Sequence, residues 1–165
     1  MNDEIDANNV KEIFECFEGK LRWKVQPSVT IKIGGVVGSI GSTGYLQVRY
    51  RGKYYKVHRL IWMYHFGEIP EGLVVDHVDT DRLNNAITNL RLATVRQNTR
   101  NSKKHKTLTS VYKGVYWSAG HNAWRACIKV EGHTKVLGRF DTEIAAYAAY
   151  CIAAKDLHGE FFNPG

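Results

Sequence analysis

The stretch from Val74 to Asn98, VVDHVDTDRLNNAITNLRLATVRQN, limits the possible folds of this chain more than any other. A short, mostly apolar run from Leu73 to Val78 carries Asp76 and His77 side by side. A loop dense in Asp and Asn follows, Asp79 to Asn85, and then a second short strand, Leu90-Arg91-Leu92. Thr94-x-x-Gln97 is a capping-box pattern, so a helix is expected from about Thr94 with Asn98 on its second turn. The local order is therefore strand, loop, strand, helix. Successive strand residues point to opposite sides, so Asp76 and His77 can serve one site only if the strand ends or bends at that point.

The side chains on this frame suit phosphodiester hydrolysis. A neutral imidazole can take a proton from water near pH 7. A hard divalent cation can neutralise charge at phosphorus and steady the departing oxygen. Mg²⁺ takes few protein ligands, all oxygen, and the Asp76 carboxylate and the Asn98 side-chain carbonyl fit that description. Asn89 has both donor and acceptor groups and can hold the loop against the second strand.

Upstream, residues 1–11 read as a loose polar lead. Ile13 to Val57 reads as several short antiparallel strands: Leu21–Val25, Val29–Ile33 and Tyr45–Tyr50 alternate, with Gly-marked turns between them. Val57, Leu60, Ile61 and Tyr64 recur at helical spacing up to Gly67. Downstream, Tyr112–Trp117, Trp124–Val130 and Thr134–Phe140 read as three strands. Asp141 or Thr142 can cap a final helix to about His158, with Ile144, Tyr147, Ala148, Cys151 and Ile152 on its packing side and Gly159 as its stop. The expected class is α+β. Its domains are 1–100 (strand-rich start 13–57, ββα core 73–102), a basic linker 101–110, and 111–165 as a three-stranded sheet plus one helix.

Here two resemblances enter. With Tyr55-Lys56-Val57-His58-Arg59-Leu60-Ile61-Trp62 and Ile69-Pro70-Glu71-Gly72 upstream of it, the Asp76–Asn98 segment resembles the ββα-metal site of HNH nucleases, the phage homing type in particular. The resemblance implies His77 as general base, Asp76 and Asn98 as ligands of one Mg²⁺ (or Mn²⁺) per chain, and Asn89 as the loop-fixing residue. The second unit resembles the plant APETALA-two/ethylene-response-factor domain through Tyr112-Lys113-Gly114-Val115, Trp124-Arg125-Ala126, Leu137-Gly138-Arg139-Phe140, Ala145–Ala148 and Gly159–Asn163. That resemblance implies a DNA-facing sheet carrying Lys113, Tyr116, Ser118, Arg125, Lys129, Thr134 and Val136.

Charge agrees with a polyanionic partner. The chain carries a net +7, and between Arg91 and Phe140 eleven basic residues face one acid, Glu131. Arg96, Arg100, Lys103, Lys104, Lys106, Lys113, Tyr116, Arg125 and Lys129 are the expected DNA contacts, with double-stranded DNA as partner and a monomer as the acting form. The three cysteines form no CxxC pair, which argues against zinc and for a reducing cytoplasm, that of a bacterial or phage-infected cell. No run is apolar enough for a membrane span. The expectation is a Mg-dependent DNA endonuclease that nicks. The alternatives are a DNA-binding regulator with an inactive nuclease fold and an RNA-directed module.

Overall fold

The computed structural model describes residues 4–101 and 109–164. The chain forms two compact units, residues 1–95 and 96–165. The division falls after Val95, so the helix bearing Asn98 groups mostly with the second unit. Lys103, Lys104 and Lys106 lie outside the described residues.

The first unit opens with α1 (Val10–Ile13), β1 (Phe14–Phe17) and β2 (Lys20–Trp23). It continues with β3 (Ser39–Ile40), β4 (Leu46–Tyr50), β5 (Lys53–Lys56) and α2 (Val57–Phe66), and then β6 (Leu73–His77) and β7 (Leu90–Thr94). β1 and β2 pair antiparallel, β3-β4-β5 form a three-stranded sheet, and β6 pairs antiparallel with β7. α2 follows the sequence pattern: Val57, Leu60 and Ile61 are buried, and Gly67 ends it at φ 83° with its N–H on the Met63 carbonyl. The helix packs against β2, β4, β5 and β6 and closes a core that includes Phe14, Leu21, Trp23, Val75 and Leu90. Burying one such side chain is worth roughly 1.5–3 kcal/mol.

Two expectations for this unit are corrected. The polar lead is anchored, because Ile5 and Val10 are buried and Asn9 and Asp6 cross-bond each other's backbone amides. Val29–Ile33 forms no strand: Val29 is 94% exposed and Ile33 64%, so the alternating side chains have no sheet to cover.

In the second unit α3 (Val95–Asn101) leads to β8 (Val115–Ser118), β9 (Ala123–Val130), β10 (His133–Phe140) and α4 (Glu143–His158). The sheet order is β10-β9-β8, all antiparallel, with a bulge in β10 between Val136 and Gly138. Thr142 caps α4 by accepting the Ala145 N–H at 3.2 Å. The packing side of α4 matches the expected one in part: Tyr147 and Cys151 pack against the core as expected. Ala146, Tyr150 and Ala154 are buried, whereas Ile144 and Ile152 are 69% and 67% exposed and Ala148 is exposed as well. Small side chains bring the helix close to the sheet, so close that any Cβ at Gly114 would collide with the Tyr150 ring.

Candidate active site

Asp76 and His77 end β6, opposite Arg91 and Leu90 of β7. Both are buried, at 6% and 3% exposure. Neighbouring positions on a strand diverge, and each side chain meets its own partner. Asp76 Oδ2 accepts from Arg91 Nε at 3.1 Å and Nη2 at 3.0 Å, a cross-strand ion pair. His77 Nε2 lies 2.9 Å from Oδ1 of buried Asn85. An amide oxygen accepts only, so the Nε2–H of His77 donates to Asn85 Oδ1.

The loop after β6 is a chain of side-chain-to-backbone bonds. Asn89 Oδ1 accepts the Asp79 N–H at 3.1 Å, and its Nδ2 donates to Asp79 Oδ1 (2.9 Å) and to the Asn84 carbonyl (2.8 Å). Asn84 Nδ2 donates to Asp79 Oδ2 at 2.7 Å, and the Asp81 N–H donates to Asp79 Oδ1 at 2.8 Å. Burial acts to raise the Asp79 pKa, but the bonds from Asn89, Asn84 and the Asp81 N–H outweigh it and hold the carboxyl below its usual range. Asn89 therefore ties the two ends of the loop together. Asn85, which the sequence offers only as a turn residue, delivers the contact to His77.

A second missed group is His58 of α2, 5% exposed, whose ring packs edge-on against His77 at 4.9 Å between centroids. Burial foremost, then His77, Lys56 and Arg59, push its pKa down to about 3, so it is a neutral wall. Tyr45 completes the wall, its ring 5.0 Å from His58 and 5.9 Å from His77. Nothing local in the sequence signals these contacts, since 19 positions separate His58 from His77 and the fold supplies the meeting.

Asn98 is half-buried on the second turn of α3. Among the described residues no cluster of three or more His, Cys, Asp or Glu side chains forms a metal cage. The Asp76 carboxylate faces the Arg91 guanidinium, and a carboxylate is the hard oxygen donor that a Mg²⁺-type ion prefers.

In the second unit the residues expected to face DNA differ in their surroundings. Lys113 is half-buried, with its pKa lowered by burial, and its Nζ donates to the Arg100 carbonyl at 2.8 Å and the Asn163 carbonyl at 3.4 Å. These bonds tie the two ends of the unit together. Cys127 is buried and meets the Tyr116 hydroxyl at 3.4 Å, and Arg125 lies half-buried over the Tyr116 ring at 5.6 Å. Lys129, Lys135 and Arg139 are exposed, and so is Arg96 of α3.

A paired β6–β7 hairpin, a loop laced by Asn89, and a buried His at the strand end define a ββα nuclease-type site. The model of the HNH endonucleases matches residues 55–100, and the chain belongs to the HNH endonuclease family. Among its relatives is Protein 3.8 of Escherichia phage T7, 36% identical over 105 residues, covering 63% of this chain and 85% of that protein. An uncharacterized HNH endonuclease of Acanthamoeba polyphaga mimivirus is 36% identical over 126 residues, 76% of this chain and 64% of the relative. The DNA endonuclease I-HmuI of Bacillus phage SP01 is 43% identical over 58 residues, 35% of this chain and 33% of that enzyme. The solved structure of I-HmuI binding and cleaving DNA is similar at a TM-score of 0.45 and 30% identity, over 59% of this chain and 55% of that one. The chain thus spans most of the T7 protein but about a third of I-HmuI.

Proposed function

We propose that this protein is a divalent-metal-dependent endonuclease that nicks duplex DNA. The observation that carries the reading is His77, buried at the end of β6 with its Nε2 proton fixed on Asn85. Nδ1 would take a proton from water attacking the phosphorus, and Asn85 Oδ1 would steady the imidazolium that results. Asn89 holds the loop that presents Asn85. Asp76 and Asn98 would hold Mg²⁺ or Mn²⁺. When bound, the ion supplies charge neutralisation at the phosphate and at the leaving 3′ oxygen. One such site per chain suits cutting one strand by a monomer.

The second unit would anchor the enzyme on DNA through Lys129, Arg125 and Tyr116, with Arg96, Arg100 and the 103–106 lysines adding phosphate contacts. A three-stranded sheet with an outward polar face can enter a major groove, and the resemblance to the plant DNA-binding domain supports the same role.

Incubating supercoiled and linear duplex DNA with Mg²⁺ tests the proposal. The native protein should convert supercoiled plasmid to the open-circular form, and His77→Ala should not. Equal cleavage by both would remove His77 as base. DNA left intact under every divalent ion tried would favour a binding protein instead, for which the Arg91 guanidinium on Asp76 is the one structural argument.

A further inference from the structure

Beside the His77 wall lies a second cluster that the chemistry above does not use. Lys56, the residue preceding α2, places Nζ over the Tyr45 ring at 4.0 Å from the centroid. Arg82, from the loop after β6, places its guanidinium carbon over the same ring at 4.9 Å. Both are pinned to one residue: Lys56 Nζ donates to Thr43 Oγ1 at 3.1 Å, and Arg82 Nη1 donates to the Thr43 carbonyl at 2.8 Å. No carboxylate pairs with either cation among the described residues. Burial foremost, then the charges of Arg82 and Arg59, lower the Lys56 pKa.

Like charges held on one aromatic ring without an acid between them are unfavourable by themselves. The arrangement makes sense once an anion is added. Tyr45 fixes where that anion sits, since its ring is 5.9 Å from the ring of His77. Arg82 offers a planar fork to phosphate oxygens and Lys56 a point charge. Both cations come from elements that also build the His77 surround: Lys56 leads into the helix of His58, and Arg82 lies in the loop of Asn85.

We propose that Lys56 and Arg82, held across Tyr45, form a phosphate clamp that seats the backbone of the strand being cut against His77. The proposal rests on the nuclease reading for its purpose, and its binding step can be measured without cleavage.

The test uses the full-length protein and Lys56→Gln, Arg82→Gln and the double variant, with Lys56→Arg as a charge-keeping control. Duplex DNA binding is first titrated against salt in the presence of chelator. Each lost phosphate contact should flatten the log K against log salt slope by about 0.9, and Lys56→Arg should keep the native slope. Cleavage of a duplex containing the mapped nick site is then followed with Mg²⁺. Single methylphosphonates, which are uncharged, are placed in turn around the nick. One of them should slow the native enzyme at least tenfold and cost the double variant nothing further.

A native-like salt slope in the folded double variant, or a methylphosphonate penalty that persists in it undiminished, overturns the clamp. If the slope flattens but the native protein cuts under no ion, the phosphate site stands and the nuclease reading falls. Melting temperature verifies folding, and both side chains are at least partly exposed, so their loss leaves the core intact.

Discussion

At the residue scale, the site depends on which way one imidazole is turned. Asn85→Ala removes the acceptor for His77 Nε2–H in a buried setting. The expected result is a fall in kcat of about tenfold to a hundredfold, with DNA affinity in chelator unchanged and stability lower by about 1–3 kcal/mol. Cleavage rates at saturating DNA, set beside binding titrations, check this. His58 gives a pH signature. Its folded pKa, about 3, lies below the ordinary 6.5, so between those values the unfolded chain binds a proton that the folded chain refuses. Stability should be complete above pH 6.5 and decline as pH falls toward 3, by an amount on the order of several kcal/mol. His58→Phe should flatten that decline in a series of melting temperatures from pH 7 to 4. Asp76, His77, Asn89 and Asn98 were legible as candidates because the chemistry proposed for them lies in side-chain type and spacing. Asn85, His58 and Tyr45 were not, because their roles arise from contacts that α2 and the loop make across the fold.

At the element scale, the β1–β2 turn supports the catalytic loop from behind. Gly19 sits at φ 71°, and a Cβ there would stand 2.8 Å from the Ala86 amide nitrogen and 2.9 Å from the Asn85 carbonyl carbon. Gly19→Ala combines left-handed strain with a backbone clash and should cost about 1–3 kcal/mol. Because it pushes on Asn85, it should also lower kcat at temperatures where the protein remains folded. Melting curves paired with single-turnover cleavage separate the two effects. The elements themselves were readable where pattern and environment agree: α2 buries Val57, Leu60 and Ile61 as its helical spacing says it should, and β6 and β7 form where short apolar runs stand. Val29–Ile33 alternates like a strand but has no partner surface. The Thr142 cap and Gly159 stop bound α4, and Tyr147 and Cys151 lie on the side its pattern gives; Ile144 and Ile152 do not, because alanines pack a sheet as readily as larger residues and leave little amphipathic signal.

At the scale of the whole molecule, the positive charge sits downstream of the hydrolytic motif. Replacing exposed Lys129, Lys135 and Arg139 with Gln should weaken DNA binding and flatten its salt dependence, by about 0.9 in slope for each cation that meets a phosphate. It should leave kcat at saturating DNA within about twofold, since none of the three belongs to the His77 surround. Filter binding from 50 to 200 mM salt (conditions chosen to span the expected steep range) with parallel nicking assays checks both halves. Lys113→Gln should act differently and lower the melting temperature more than the affinity, because its ammonium holds the Arg100 and Asn163 carbonyls.

The guanidinium of Arg91 on Asp76 has a practical consequence for handling the protein. A sunken carboxylate with no counter-charge would make the ion-free form swell or melt. Here the chain brings its own. Dialysis against EDTA should therefore shift the melting temperature by no more than about 2 °C, while Arg91→Leu should make that shift large and reversible by Mg²⁺. A preparation stripped of ions would then keep its shape on the shelf.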